Sequence, residues 1–551
     1  MPAEPDSVEV VFGYHERTKH HPYRYARALG YMDWDTQPDP FRRYEGAQRR
    51  PLDEVPVTPL PRYDDLFATN PLPPQPLNRG SLSQFLYDAL ALSAWKAITD
   101  GTGREHRWSL RVNPSSGNLH PTEGYIITGP IAGLLDEPGL HHYAPFQHEL
   151  ERRREIATQA WQRLALPAGS FLLALTSIHW RESWKYGERA FRYCQHDAGH
   201  AIAACALSAA ALGWKIRMVL VSDLLLARLA GVDGQTGPEA EHPDVLLLVS
   251  PSDAAATALD GEHLRPLTDG RLSGVENTLS SDHHDWPIID LVAEASLRLD
   301  PVEPESPPLP SDLPARAADR VLSARQIIRQ RRSAVSMDGL TSISREDFLR
   351  TMARLMPGAG ALQLDLLPWR PSIHLAVFVH RVRDLSSGLY CLVRDPDALL
   401  TLRESMRPEF RWTHVEGGLY LLQGGDVQQV ARSVSCGQEI AADGAYALGM
   451  IGCFEPAIRA RGAWFYRALH WEAGAIGQVL YLEAEASGVR ATGIGCFFDD
   501  AMHQVLGLRD ARFQTLYHFT VGGPAEDTRL RTLAPYAHRA GGQAGGAAGP
   551  M

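Results

Sequence analysis

Cysteine is scarce and scattered in this chain. Six occur in 551 residues (Cys194, Cys205, Cys391, Cys436, Cys453 and Cys496), none in a Cys-x-x-Cys pair. That excludes a disulfide scaffold and points to free, mostly buried thiols in a reducing, cytoplasmic setting. No apolar stretch reaches the ~18 uncharged residues of a membrane-spanning helix. Residues 1–11 are acidic, contain proline and lack an apolar segment, which argues against a secretory signal. Basic charge falls short of acidic, 54 Lys+Arg against 65 Asp+Glu for a net charge of −11, which argues against a nucleic-acid partner. Hydrophobic residues make up 44% and charged residues 22%, a composition neither disordered nor membranous.

The length allows two to four domains at roughly 100–200 residues each. Residues 301–314 hold six prolines and divide the chain near its middle. A Gly/Ala-rich stretch, 541–549, reads as a tail. The two halves echo each other. FRYCQHDAGHAIAACALSAAALGW (191–214) matches YRALHWEAGAIGQVLYLEAEASGV (466–489) at an offset of 275, aligning Arg192 with Arg467, Asp197 with Glu472 and Gly199 with Gly474. Each reads as a long helix ended by glycine. Further echoes pair GLHHYAPFQHEL with GLYCLVRDPDAL, and SDLLLARLAGV with DDAMHQVLGL. The pattern predicts a tandem duplication of one α+β domain: domain one over 1–275 with an extension over 1–75, a helix and linker over 276–320, domain two over 321–537, and a tail over 538–551. Ser81 is expected to start one helix. Ser344 with Asp347 forms a capping box for another through Met356. YIIT (125–128) and HLAVFVH (374–380) read as strands.

Several segments carry candidate chemistry. In RVNPSSGNLHPTEGYIIT (111–128), Pro114, Ser115, Ser116, Gly117 and Asn118 offer small residues for close approach to a flat ligand, with hydroxyl and amide groups to bond it. By itself this is a turn before a strand. Arg331, Arg332 and Ser333 end a helical pattern and suit a phosphate; an isolated arginine pair is more often merely solvated. Gly493, Ile494 and Gly495 allow tight approach but lack a full GxGxxG. Arg529 and Arg531 follow a strand. Lys185 and Tyr186 lie beside Trp180 and Trp184, an apolar setting in which a lysine can act as base and a tyrosine can move a proton. His196 and His200 imitate a zinc helix. No third ligand is evident, and the aligned Trp471–Ala475 keeps the acid and glycine but drops both histidines, so the shared Asp/Glu-Ala-Gly reads as architectural and no metal is expected.

In order and spacing, YHERTKHHPYRY, PSSGNLHP, GLHHYAP, KYGERAFRY, HDAGH, HWEAG, GIGCFFDD and the Arg-Arg-Ser resemble the nitroreductase superfamily of FMN enzymes. Within it they are most similar to SagB/ThcOx-type dehydrogenases, which include the azoline oxidases. The resemblance spans roughly 8–260 and 320–537. It implies an α+β fold with a mixed or antiparallel central sheet flanked by helices, duplicated into an intrachain pseudo-dimer. It also implies FMN between the halves. Arg331, Arg332, Ser333, Gly493–Gly495 and Arg529 or Arg531 would come from the second half and Pro114–Asn118 from the first. Lys185 and Tyr186 would be the catalytic pair. A mirror-image site is expected to be lost, because NRGSLSQF (78–85) and LPWRPSIHLAVF (367–378) lack the matching motifs. The implied activity oxidises a peptide or peptide-derived natural product: the Lys-Tyr pair takes a proton, FMN takes a hydride, and O2 reoxidises it. The alternatives are an NAD(P)H-dependent nitro- or quinone reductase, and a non-catalytic scaffold that binds a peptide partner. Nothing in the sequence implies a membrane partner, and further dimerisation is left open.

Overall fold

The computed structural model describes residues 6–68, 72–252, 259–305, 321–358, 364 and 366–540. Most of the proline-rich linker and the Gly/Ala tail lie outside the described residues. The strands are β1 (Tyr44–Glu45), β2 (Gln48–Pro51), β3 (Leu92–Thr99), β4 (Glu105–Arg111), β5 (Thr122–Thr128), β6 (Gly139–Ala144), β7 (Glu149–Glu155), β8 (Phe171–Ile178), β9 (Lys215–Val219) and β10 (Glu241–Ser250). They continue with β11 (Val275–Glu276), β12 (Ile373–Val379), β13 (Gly388–Leu392), β14 (Thr413–Glu416), β15 (Leu419–Gly424), β16 (Tyr446–Cys453), β17 (Arg490–Ile494), β18 (Phe513–Gly522) and β19 (Arg531–Leu533). The helices used below are α1 (Ser7–Arg17), α2 (Arg79–Ala89), α3 (His179–Tyr186), α4 (Ala190–Ala211), α5 (Asp223–Ala230), α6 (Ala324–Gln330), α7 (Arg345–Arg354), α8 (Phe465–Ala486) and α9 (Asp499–Leu506).

Two seven-stranded sheets repeat one topology. The first runs β2-β7-β6-β5-β8-β10-β9 and the second β14-β15-β13-β12-β16-β18-β17. Apart from the edge strands β2 and β14, the order is the same from β7 to β9 and from β15 to β17. All the pairings are antiparallel, so the sheet is not mixed. The inner strands are apolar on both faces, as in FLLALTSI (β8) and IHLAVFV (β12), because helices cover both sides. A third, small sheet joins the halves: β19 leaves the second half to pair with β3, beside β4.

The long helices α4 and α8, 22 residues each, cross at the centre. A Cβ on Gly199 would fall 2.3 Å from the Trp471 carbonyl oxygen, and one on Gly474 would fall 2.1 Å from that of His196. The shared Asp/Glu-Ala-Gly element is thus where two backbones touch. The short helices α5 and α9 each end at a glycine in left-handed conformation, Gly231 and Gly507.

The expected caps hold with small shifts. Asn78, not Ser81, caps α2, accepting from the Ser81 amide at 3.0 Å, so the helix starts two residues earlier than its apolar pattern. Ser344 accepts from the Asp347 amide at 3.0 Å and opens α7, which ends at Arg354. No helix among the described residues is long and apolar enough to cross a membrane.

Candidate functional site

A cavity of about 550 Å³ opens between the halves. The first half lines it with Pro114, Ser115, Ser116, Gly117 and Asn118, and the second with Arg331, Arg332, Ser333, Gly493, Ile494 and Gly495. Tyr186 lines it as well.

The serine loop is shaped by two buried carboxyls. The Ser116 amide donates to Asp197 of α4 at 3.1 Å, and the Ser115 hydroxyl donates to Glu182 of α3 at 3.4 Å. Gly117 and Asn118 follow in left-handed backbone, φ +61° and +57°, which glycine and asparagine tolerate best. A Cβ on Gly117 would lie 2.8 Å from the Tyr186 hydroxyl and 3.2 Å from Lys185 Nζ, so the loop passes directly beneath the Lys-Tyr pair. Asp197 and Glu182 face each other. Burial pushes the Asp197 carboxyl up to about 7, and burial with the Asp197 charge holds that of Glu182 well above the ordinary range. At neutral pH the pair therefore retains a proton.

Lys185 is exposed, which corrects the expected apolar setting. Successive helical positions are 100° apart, so Trp184 turns into the protein while Lys185 turns out. The indole N–H groups of Trp180 and Trp184 donate to Ser280 Oγ at 2.7 Å and to the Asp33 carbonyl at 3.0 Å. Tyr186 packs edge-on against Tyr193, and burial followed by the Glu182 charge raises its hydroxyl well above the usual tyrosine value.

The Arg-Arg-Ser directly follows α6. The Ser333 hydroxyl shares a hydrogen bond with the Tyr481 hydroxyl at 2.8 Å, which also accepts from the Gly493 amide at 3.0 Å. Arg331 is buried, donates to the Arg111 carbonyl at 3.0 Å and leaves its Nε unpartnered. Arg332 lies beside it. Its guanidinium is pulled down to about 10 by burial and then by the Arg331 charge. Lys96 of β3 also lines the cavity, and burial followed by the Arg332 charge lowers its ammonium. Three crowded cations and a hydroxyl make a site that an anion would relieve.

Arg529 and Arg531 are not brought there. Arg529 is three-quarters exposed and pairs with Asp527 at 2.7 Å, and Arg531 pairs with Glu105. Leu530, between them, lines the cavity. Arg529 lies in a turn closed by the Leu530 amide on the Asp527 carbonyl, and Arg531 starts β19, so only Leu530 faces inward.

Further side chains complete the wall. Tyr193 donates to the Gly495 carbonyl at 3.1 Å, and a Cβ on Gly495 would press into the Tyr193 ring. A Cβ on Gly493 would collide with the Tyr517 hydroxyl. His196 stacks on Tyr517 with ring centroids 4.1 Å apart, and His200 Nε2 lies 3.3 Å from the Tyr517 hydroxyl. Burial and then the Arg331 charge drop His200 to about 3, so it is neutral. Among the described residues no third metal-ligating side chain joins these two histidines; Glu16, His21 and Asp500 are grouped elsewhere, around the Lys19 ammonium.

The pseudo-symmetric position is filled. Trp369 packs against Trp464, Phe465 and Trp471 where the serine loop lies in the first half. Glu472, aligned with Asp197, takes the Ser372 amide at 3.1 Å and is neutralised by Arg394. The chain segment joining the halves runs across: Val302 donates to the Leu220 carbonyl, and Glu305 binds Arg461, which is aligned with Tyr186.

Residues 72–235 match the family model described as the nitroreductase family. A protein of Methanocaldococcus jannaschii described as a nitroreductase is 27% identical over 144 residues, 25% of this chain and 66% of that protein, so the chain spans just under two thirds of this relative. A crystal structure of a protein described as a nitroreductase from Anabaena variabilis superposes with a TM-score of 0.68 at 22% identity, covering 94% of this chain and 99% of the other. Residues 72–235 thus carry the likeness to that family, and the fold of the two halves together is the one seen in the Anabaena variabilis structure.

Proposed function

We propose that the chain is an FMN-dependent oxidoreductase that binds one flavin between its halves and oxidises a peptide or a peptide-derived natural product. Its two domains are taken as 1–275 and 321–537. The observation that carries the reading is the composition of the cavity. A cation and hydroxyl cluster from Arg331, Arg332, Lys96 and Ser333 shares one space with glycine-bearing backbone and with Tyr186, and Lys185 Nζ reaches the Gly117 position beside it.

The residues present suit FMN. A volume of about 550 Å³ falls within the range of small-ligand sites. Arg331 Nε is a buried donor without an acceptor, and a phosphate would supply one. Gly117, Gly493 and Gly495 leave room for no side chain, so their backbones form bare surfaces for a ring system. Bound here, FMN supplies hydride acceptance and, by its own chemistry, reoxidation by O2.

The chain's residues do the rest. Arg331, Arg332, Lys96 and Ser333 hold the phosphate. The loop Ser115–Asn118, pinned through Asp197 and Glu182, orients the ring. Lys185 Nζ or Tyr186 Oη removes the substrate proton. Lys185, exposed at the rim, returns that proton to water. The Lys-Tyr motif, in the sequence context KYGERAFRY, favours a peptide-derived substrate.

Mass spectrometry of the small molecule released on denaturing the purified protein, with its molar ratio to chain, tests the reading. FMN at one per chain is expected; a colourless protein that takes up no added FMN overturns it. With an azoline-containing peptide under anaerobic conditions, the wild type should bleach its flavin, while Lys185→Ala and Tyr186→Phe keep the flavin but do not bleach it. Rapid bleaching by reduced nicotinamide alone would assign a nitro- or quinone reductase instead.

A further inference from the structure

Cys436 and Cys496 are 60 residues apart in sequence, yet their sulfur atoms lie 2.7 Å apart. The two free thiols are in direct contact, and the ~2.05 Å of a disulfide needs only a small further approach. Local structure holds them there. Cys436 occupies a left-handed turn, φ +56°, followed by Gly437 at +71°. Ser435 fixes one side of the turn through His518 at 3.1 Å, and Gln438 Nε2 donates to the Cys496 carbonyl at 2.9 Å on the other. Cys496 directly follows Gly495 and lines the cavity. Both thiols are partly exposed, whereas Cys194, Cys205 and Cys391 are buried. The pair belongs to the cavity side alone: at the offset of 275 Cys496 aligns with Val221 and Cys436 with Trp161.

The surroundings favour reaction at Cys496. Its hydrogen bond with Cys436 and the charge of the Arg189 guanidinium, which also bonds the Gly495 carbonyl at 3.3 Å, both lower the Cys496 thiol. A thiolate so placed is the attacking species in exchange.

We propose that Cys436 and Cys496 form a thiol–disulfide redox centre in the wall of the cavity, exchanging with small disulfides and dithiols. In the oxidising direction Cys496 thiolate attacks one sulfur of R–S–S–R, forms a Cys496–S–S–R mixed disulfide and expels R–S⁻. Cys436 then gives up its proton, attacks Cys496 Sγ, closes the intramolecular disulfide and expels the second R–S⁻. The two thiol protons end on the two leaving thiolates, so two protein thiols are oxidised and one small disulfide is reduced to two thiols. A small dithiol reverses the sequence. The centre does not depend on the flavin assignment, since neither step uses the flavin.

The test uses the full chain, reduced, desalted and then incubated with glutathione disulfide before alkylation and non-reducing peptide mapping. Expected are a linked peptide joining Cys436 to Cys496, loss of two of the six titratable thiols, and full recovery with dithiothreitol. Cys453, partly exposed and unpaired with any cysteine, is the internal control. Cys436→Ser should accumulate a stable glutathione adduct on Cys496, because the resolving thiol is gone. Six unchanged thiols in the wild type, or a persistent wild-type adduct at Cys496 with no linked peptide, overturns the proposal. The readout is a peptide mass, so its failure is distinct from a failure to find FMN.

Discussion

Arg192 of α4 reaches from the first half to the carboxylate of Asp499 in the second, 2.9 Å away, and Arg467 of α8 makes the mirror-image reach to Asp223 in the first. Each aspartate opens one of the paired short helices and takes a second guanidinium at 3.1 Å, Arg189 for Asp499 and Arg298 for Asp223. All six groups are buried. Despite burial, the two arginines hold Asp499 down at about 2. A carboxylate with a depressed folded-state value stabilises above its unfolded value, near 3.8, and the contribution is lost as pH falls through about 2. Asp499→Asn should therefore destabilise at neutral pH by about 3–5 kcal/mol, the cost of stranding a buried charge, and the gap should narrow as the pH falls to 2.5. Urea midpoints at pH 7 and pH 2.5 measure it.

Asp197 has the opposite sign. Its carboxyl sits at about 7 in the folded protein, above its unfolded value. The folded state therefore binds the extra proton, and stability falls as pH rises from about 4 to about 7. Asp197→Asn keeps an acceptor for the Ser116 amide and removes the titration. Relative to wild type, the variant should gain on the order of 2 kcal/mol between pH 4.5 and pH 7 and then level off. A variant whose stability falls in parallel with the wild type over that window would exclude this assignment of the proton.

Gly199→Ala would drive a methyl group against the Trp471 backbone, which cannot rotate away. The helices would have to separate, at a cost of about 1–3 kcal/mol or more. Thermal unfolding should show a lowered midpoint. Because α4 and α8 also carry the walls Tyr193, His200 and Tyr481, flavin retention should fall with it.

Arg331→Ala and Arg332→Ala should each weaken FMN binding by about ten- to a hundredfold, the worth of a charge-assisted hydrogen bond. Arg529→Ala should leave binding unchanged, since that side chain is spent on Asp527 at the surface. Titration of stripped protein followed by flavin fluorescence separates these outcomes.

The repeat and its strands were legible because the echo between the halves carries helix-ending glycines and apolar runs at one offset. The Arg-Arg-Ser, the serine loop and Gly493–Gly495 were legible because loops that approach a ligand need unusual residues in short runs. Tyr481 and Tyr517 were not, because each sits singly on a helix or strand where an aromatic residue reads as core, and Tyr193 and His200, though inside KYGERAFRY and HDAGH, carried no sign that they face the cavity. Asp197 was seen as part of a zinc-like pattern and of the shared Asp/Glu-Ala-Gly element, and its partner Glu182 not at all, since their proximity depends on how α3 meets α4. Lys96 did leave a trace: it is one of four lysines among 54 basic residues, placed in the otherwise neutral strand LSAWKAIT. Arg529 and Arg531 misled because nothing in the sequence shows which way a side chain faces past the end of a strand.

The segment that tethers the two halves also seals the second position, where Val302 and Glu305 lie over Leu220 and Arg461. A chain cut there into separate subunits would not regain two equal sites, because Arg461 and Trp369 stand where a Tyr186 and a serine loop would be required. The two lobes are therefore not interchangeable: Arg331, Arg332 and Ser333 belong to one side of the cavity and the serine loop to the other.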